Sequence, residues 1–221
     1  MLEVSIRKKI AKLVLSLENQ VKFTRGECEH LLHMFVRINN KRPFANLDRL
    51  KFRETLHHLF NLTDDLLLDG IFRAFDYSSE GGISPLNWIK GLSVFLRGTL
   101  EEKALFAFKA YDFNSDGILT REEMFLLLKS SLVKQPTEDD PDEGIRDLVD
   151  IVFKRLDMDR DGRVIFQDFL TAVQDDPLLL EILGPCFPEE KVAAAFLSTF
   201  QEVNLPVSIS YLKPSRPTVV V

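Results

Sequence analysis

Asp112, Asn114, Asp116, Ile118 and Glu123 stand at positions 1, 3, 5, 7 and 12 of a twelve-residue run, Asp112–Glu123. A hard divalent cation needs six to eight oxygens, and this spacing supplies them. Asp112, Asn114 and Asp116 alternate around the ion, and Ile118 offers its backbone carbonyl. Thr120 can hold a water, and Glu123 reaches back with both carboxylate oxygens. Gly117 at position 6 takes the sharp turn at little steric cost. An acidic turn between two helices would need neither that glycine nor that glutamate. A second run, Asp157–Asp168, repeats the pattern with Asp157, Asp159, Asp161, the carbonyl of Arg163, and Asp168 at position 12. Asp168 is one methylene shorter than glutamate and binds through one oxygen. That lowers the coordination number and suits octahedral Mg2+ better than Ca2+. Ile165 at position 9 carries no side-chain water. The sequence therefore predicts a strong Ca2+ site at 112–123 and a mixed Ca2+ or Mg2+ site at 157–168.

Such loops act only between helices, and the chain supplies them at a regular period. Two weaker loops, 40–51 and 76–87, precede the strong ones. Their eighth residues, Leu47 and Ile83, stand 36 apart, as do Ile83 and Leu119, and Val164 follows Leu119 by 45. This is the repeat of four EF-hand helix-loop-helix units with an insertion before the last. Apolar residues at helical spacing flank every loop: Phe72 and Phe75, Phe108 and Tyr111, Phe153 and Leu156 on entry, and Trp88, Phe125 and Phe169 on exit. The predicted architecture is all-α: two packed EF-hand pairs, C-terminal helices and an extended tail. The pairs divide as 1–97 and 98–175, with 176–221 beyond them. Leu47 is expected to face Ile83, and Leu119 to face Val164. Asp140, Pro141 and Glu143 read as a helix start, and Asp176 and Pro177 open a short helix over 178–183. Another helix follows Pro188 to about Phe200. The short connection Arg97-Gly98-Thr99 leaves no room for a long linker, so the pairs are expected to pack together.

Position 12 separates the loops. Lys51 is a cation in a first loop that also holds Arg42 and Phe44, so that hand is scaffold. In the second loop Ser78 sits at position 3 and neutral Asn87 at position 12, and affinity should collapse without the bidentate carboxylate.

Other chemistry is sparse. The net charge is −6, which argues against nucleic acid and suits cations or a basic target segment. Cys28 and Cys186 match no disulfide framework, pointing to a reducing compartment. No apolar run reaches membrane-spanning length. Leu2 stands where myristoylation needs glycine, so no membrane anchor is expected. His30, His33, His57 and His58 lack the partners of a zinc set. No nucleophile elbow, Walker loop or dinucleotide fingerprint occurs, and no catalysis is expected.

The segment Trp88-Ile89-Lys90-Gly91-Leu92-Ser93-Val94-Phe95-Leu96-Arg97-Gly98-Thr99 resembles the helix pair between the second and third hands of the calaxin family. The insertion, from Leu132 through Pro136, Asp140 and Pro141 to Val149, resembles that family too, as does Gly184-Pro185-Cys186. General calcium sensors lack this insertion, and the resemblance covers about 25–190. It implies a calcium-binding regulatory module of the cilium or flagellum. The implied partners are outer-arm dynein or its docking complex, with microtubule-associated axonemal proteins. The eroded second loop and the segment after Pro188 depart from the family pattern and fit a diverged paralog as well as the sensor itself. An ion-independent structural adaptor of the axoneme is the alternative.

Overall fold

A computed structural model describes residues 2–39, 42–131 and 141–200. The expected helix start at Asp140, the opening of the first loop at Asn40 and the tail from 203 lie outside the described residues. Among the described residues the structure is all-α, with ten α-helices, one 3-10 turn and only isolated β-bridges. The helices are α1 (Leu2–Leu17), α2 (Arg25–Ile38), α3 (Arg49–Phe60), α4 (Asp65–Phe75), α5 (Pro85–Arg97), α6 (Leu100–Tyr111), α7 (Arg121–Ser131), α8 (Pro141–Leu156), α9 (Phe166–Asp175) and α10 (Glu190–Ser198).

Local chemistry starts most of them. Thr24 with Glu27, and Thr99 with Glu102, form reciprocal capping boxes at the starts of α2 and α6. Asp64 accepts from two backbone N–H groups of α4, and Ser84 caps α5 with Pro85 at its first position. Helix α1 precedes the first hand, and the loop-based reading did not foresee it. It buries Ile10, Val14 and Leu17 and packs on α2.

The two EF-hand pairs share one core, as the short connection predicts. Helices α4 and α6 approach until their backbones touch. A Cβ on Gly70 would lie 2.1 Å from the Ala110 carbonyl oxygen, so only glycine fits there. Aromatic rings continue the junction. Phe75 of α4 meets Phe106 of α6 at 5.6 Å between centroids, and Phe187 packs on both Phe106 and Phe95. The segment after the last hand is thus built into the body. Tyr111, fully buried, donates its hydroxyl to the Gly184 carbonyl at 2.8 Å, with the Leu180 carbonyl at 3.2 Å. The short helix expected over 178–183 is a 3-10 turn at Pro177–Glu181, capped by Asp176. Helix α10 lies on α3, and Phe196 sits 5.0 Å from Phe60.

The loop pairings differ. Leu47 and Ile83 exchange both N–H···O bonds, at 2.8 and 2.9 Å. In the second pair Leu119 N–H donates to the Val164 carbonyl at 2.8 Å, and the bridge pairs Ile118 with Ile165. The expected Leu119–Val164 pairing therefore rests on one bond.

Candidate metal centres

The second, third and fourth loops each begin where a helix ends, and their first aspartates turn the chain. Asp112 caps the C-terminus of α6. Its Oδ1 accepts from Asp116 N–H at 3.2 Å and its Oδ2 from Gly117 N–H at 2.9 Å. Gly117 takes φ +84°, and Ser115 is also left-handed at +57°. Asn114 accepts from Asp116 N–H at 2.9 Å and donates its amide to Asp116 Oδ2 at 3.0 Å. These bonds fix three side-chain oxygen donors around one turn.

Glu123 closes this loop. Its Oε1 accepts from the N–H groups of Phe113 and Asn114 at 2.8 and 3.3 Å. Its Oε2 accepts from Thr120 N–H at 2.9 Å and from Thr120 Oγ1 at 2.8 Å. The carboxylate already lies inside the loop, where protein donors occupy the oxygens a cation would take. Thr120, read as a water carrier, is also the N-cap of α7 and accepts from Glu123 N–H at 3.2 Å. Asp112 and Glu123 are both only 6% exposed. Burial, then the charge of Glu123, pushes the Asp112 carboxyl above its ordinary value, against the pull of the Gly117 N–H. A buried carboxyl pushed upward beside a second acidic side chain fits a cation site. With hard oxygen donors throughout, the residues fit Ca2+.

The loop Asp157–Asp168 brings its acids closer together. Carboxylate oxygens of Asp157, Asp159 and Asp161 lie within 4.8 Å of one another. Asp159 accepts from Asp161 N–H at 3.0 Å, Asp161 from Arg163 N–H at 2.8 Å, and Asp157 Oδ2 from Gly162 N–H at 3.1 Å. Asp157 Oδ1 is buried with no hydrogen-bond partner. A buried carboxylate oxygen without a donor is costly unless a cation satisfies it. Asp168 Oδ2 is held by Ile165 N–H at 3.2 Å. Ile165 gives this hand no side-chain cap, unlike the other three.

The second loop folds without such a demand. Asp76 still accepts from Glu80 and Gly81 N–H groups at 3.2 and 2.7 Å. Asn87, at position 12, donates to Ser78 Oγ at 3.1 Å. Glu80 accepts from Asn46 Nδ2, in the first loop, at 3.0 Å, which spends its charge outside the loop. Helix α5 is nonetheless capped at position 9, by Ser84 Oγ on Asn87 N–H at 3.1 Å. Asp48 does the same for Lys51 N–H at 2.9 Å in the first hand.

The remaining candidates are structural. His30 packs on the Phe200 ring at 5.4 Å. Both cysteines are free and buried, and burial pushes the Cys28 thiol up to about 11.

The family model of an EF-hand domain pair matches residues 101–174, which span both acidic loops. Over 205 residues the chain is 46% identical to calaxin of Bos taurus, covering 90% of this chain and 97% of the relative. The calaxin of Danio rerio is 47% identical over 195 residues, covering 86% and 93%. The chain belongs to the calaxin family. Calaxin of Homo sapiens is 45% identical over 204 residues and 90% of the chain, so the likeness runs wider than the 25–190 read from motifs. With the calaxins this chain shares nearly full length, and its matched pair is a calcium-binding module. No described helix is long and apolar enough to cross a membrane.

Proposed function

We propose that this chain is a calcium-responsive binding module of the ciliary or flagellar axoneme. Its partner is outer-arm dynein or the docking complex, and calcium tunes motility through it. Family membership supports the setting. The observation that carries the response is the placement of Glu123. Its carboxylate holds four protein donors in the loop, and the residue lies in the first turn of α7. An entering Ca2+ competes for those oxygens, so loading redirects the start of α7.

That helix walls an apolar cavity of about 570 Å3 against α8, lined by Phe125, Leu126 and Val149 and rimmed by Arg121, Arg146 and Asp150. Leu126 and Ile151 are 49% and 66% exposed nearby. An amphipathic helix suits such a groove. Loop 157–168 supplies a second site in which Mg2+ competes, because Asp168 offers a shorter reach than Glu123. The chain acts by binding, without catalysis of its own.

Affinity for purified outer-arm dynein or docking complex, measured with calcium and with chelator, tests the reading. A calcium-dependent change supports it, and equal affinity in both conditions sinks it. A static adaptor is the second reading. It is favoured by the second loop, where the Asn87–Ser78 bond holds the hand's shape without an ion.

A further inference from the structure

Arg73 belongs to the last turn of α4, just before the second loop, yet its charge serves the third. The touching backbones of α4 and α6 at Gly70 and Ala110 bring it there. Its guanidinium carbon lies 5.1 Å from the centroid of the Phe113 ring. Phe113 is position 2 of the third loop, and its N–H is one of the donors on Glu123. Arg73 and Asp112 line one cavity, of about 410 Å3, between the second and third hands.

The guanidinium is poorly served by hydrogen bonds. Its Nε and Nη2 are buried and have no partner. A buried donor left unpaired costs free energy, and burial pulls the Arg73 pKa down, while Asp69, Asp112 and Glu123 favour its charged form. Arginine stays charged at neutral pH. The Phe113 ring packs on this cation, and the charges of Asp69, Asp112 and Glu123, two of them calcium ligands, favour it against burial and Arg49.

We propose that Arg73 sets the calcium affinity of the Asp112–Glu123 loop, as a fixed positive charge lent by the neighbouring hand. Without calcium it offsets part of the repulsion between Asp112 and Glu123. An entering Ca2+ meets that charge and binds less tightly than the ligand set alone would allow. The third hand of this chain is then tuned from outside its own helix-loop-helix.

Calorimetric calcium titrations of the full chain and of Arg73→Met and Arg73→Lys variants test this. Methionine keeps length and contact with Phe113, and lysine keeps the charge. Arg73→Met should tighten the strongest site roughly three- to ten-fold, with Arg73→Lys close to the parent. Unchanged or weaker binding in Arg73→Met overturns the proposal. Equal tightening in both variants also overturns it, because packing rather than charge would be at work. Should Arg73→Met fail to fold, Arg73→Gln takes its place under the same criteria. The inference rests on calcium binding by this loop. A parent chain that binds no calcium defeats that reading itself, whereas a binding parent with unresponsive variants defeats only the role of Arg73.

Discussion

Asn87 donates its side-chain amide to Ser78 Oγ at 3.1 Å, joining positions 12 and 3 of the second loop. In an ion-binding hand those two positions meet through the cation. Here a neutral hydrogen bond does the same work, which explains how Asp76 and Gly81 keep their turn geometry. Restoring the carboxylates with Ser78→Asp and Asn87→Glu together should add one calcium per chain in a calorimetric titration. Asn87→Ala should leave the stoichiometry alone and cost about 1 kcal/mol of stability in denaturant unfolding.

Glu123→Gln separates grip from shape. Glutamine's one oxygen can keep the reciprocal cap with Thr120, but its NH2 then faces the N–H groups of Phe113 and Asn114, so the calcium-free protein should lose about 1–3 kcal/mol. The strongest calcium site should vanish from the titration. A variant that still filled that site would place the tightest binding in Asp157–Asp168 instead.

Glu27 and Arg97 form a two-point ion pair at 2.6 and 3.0 Å, joining the start of α2 to the end of α5. The Arg97 guanidinium, foremost, holds the Glu27 carboxyl down to about 2. A carboxyl depressed in the folded state stabilises at neutral pH, and that stability fades as pH falls from the ordinary value of 4.5 through about 2. Arg97→Met should therefore cost about 1 kcal/mol at neutral pH, modest because the pair is partly solvated. The difference between parent and variant should narrow in strong acid to what Arg97 contributes through the Lys22 carbonyl and the Phe23 ring, as thermal melts across that range would show.

Tyr111→Phe deletes one hydroxyl and leaves the Gly184 and Leu180 carbonyls without it. A loss of about 1–3 kcal/mol is expected, read by denaturant unfolding. If the segment after the last hand stabilises the body, hydrogen exchange around Leu180–Gly184 should accelerate in the same variant.

Much of this is legible in the sequence. The repeat of apolar eighth positions located all four hands, and position 12 ranked them by the oxygens they offer. The capping boxes Thr24–Glu27 and Thr99–Glu102 were equally readable, since each is a hydroxyl three residues before a glutamate. Helix α1 also carries its signal, in Ile6, Ile10, Val14 and Leu17 at helical spacing, but no loop pattern points to it. Arg73 was a different matter. It lies 39 residues before Asp112 in the chain, and no local pattern connects them. Only the crossing of α4 over α6, permitted by a missing Cβ at Gly70, places that charge beside the third loop.

In the first three hands the ninth residue starts the exit helix, through Asp48, Ser84 and Thr120, while the twelfth decides whether an ion is held. Lys51 and Asn87 show that the second duty can lapse with the first intact. Ion loss in this chain thus needs no passage through a misfolded intermediate. A single codon at position 12 can silence a hand that goes on serving as architecture, and the reverse change begins from a loop that is already folded.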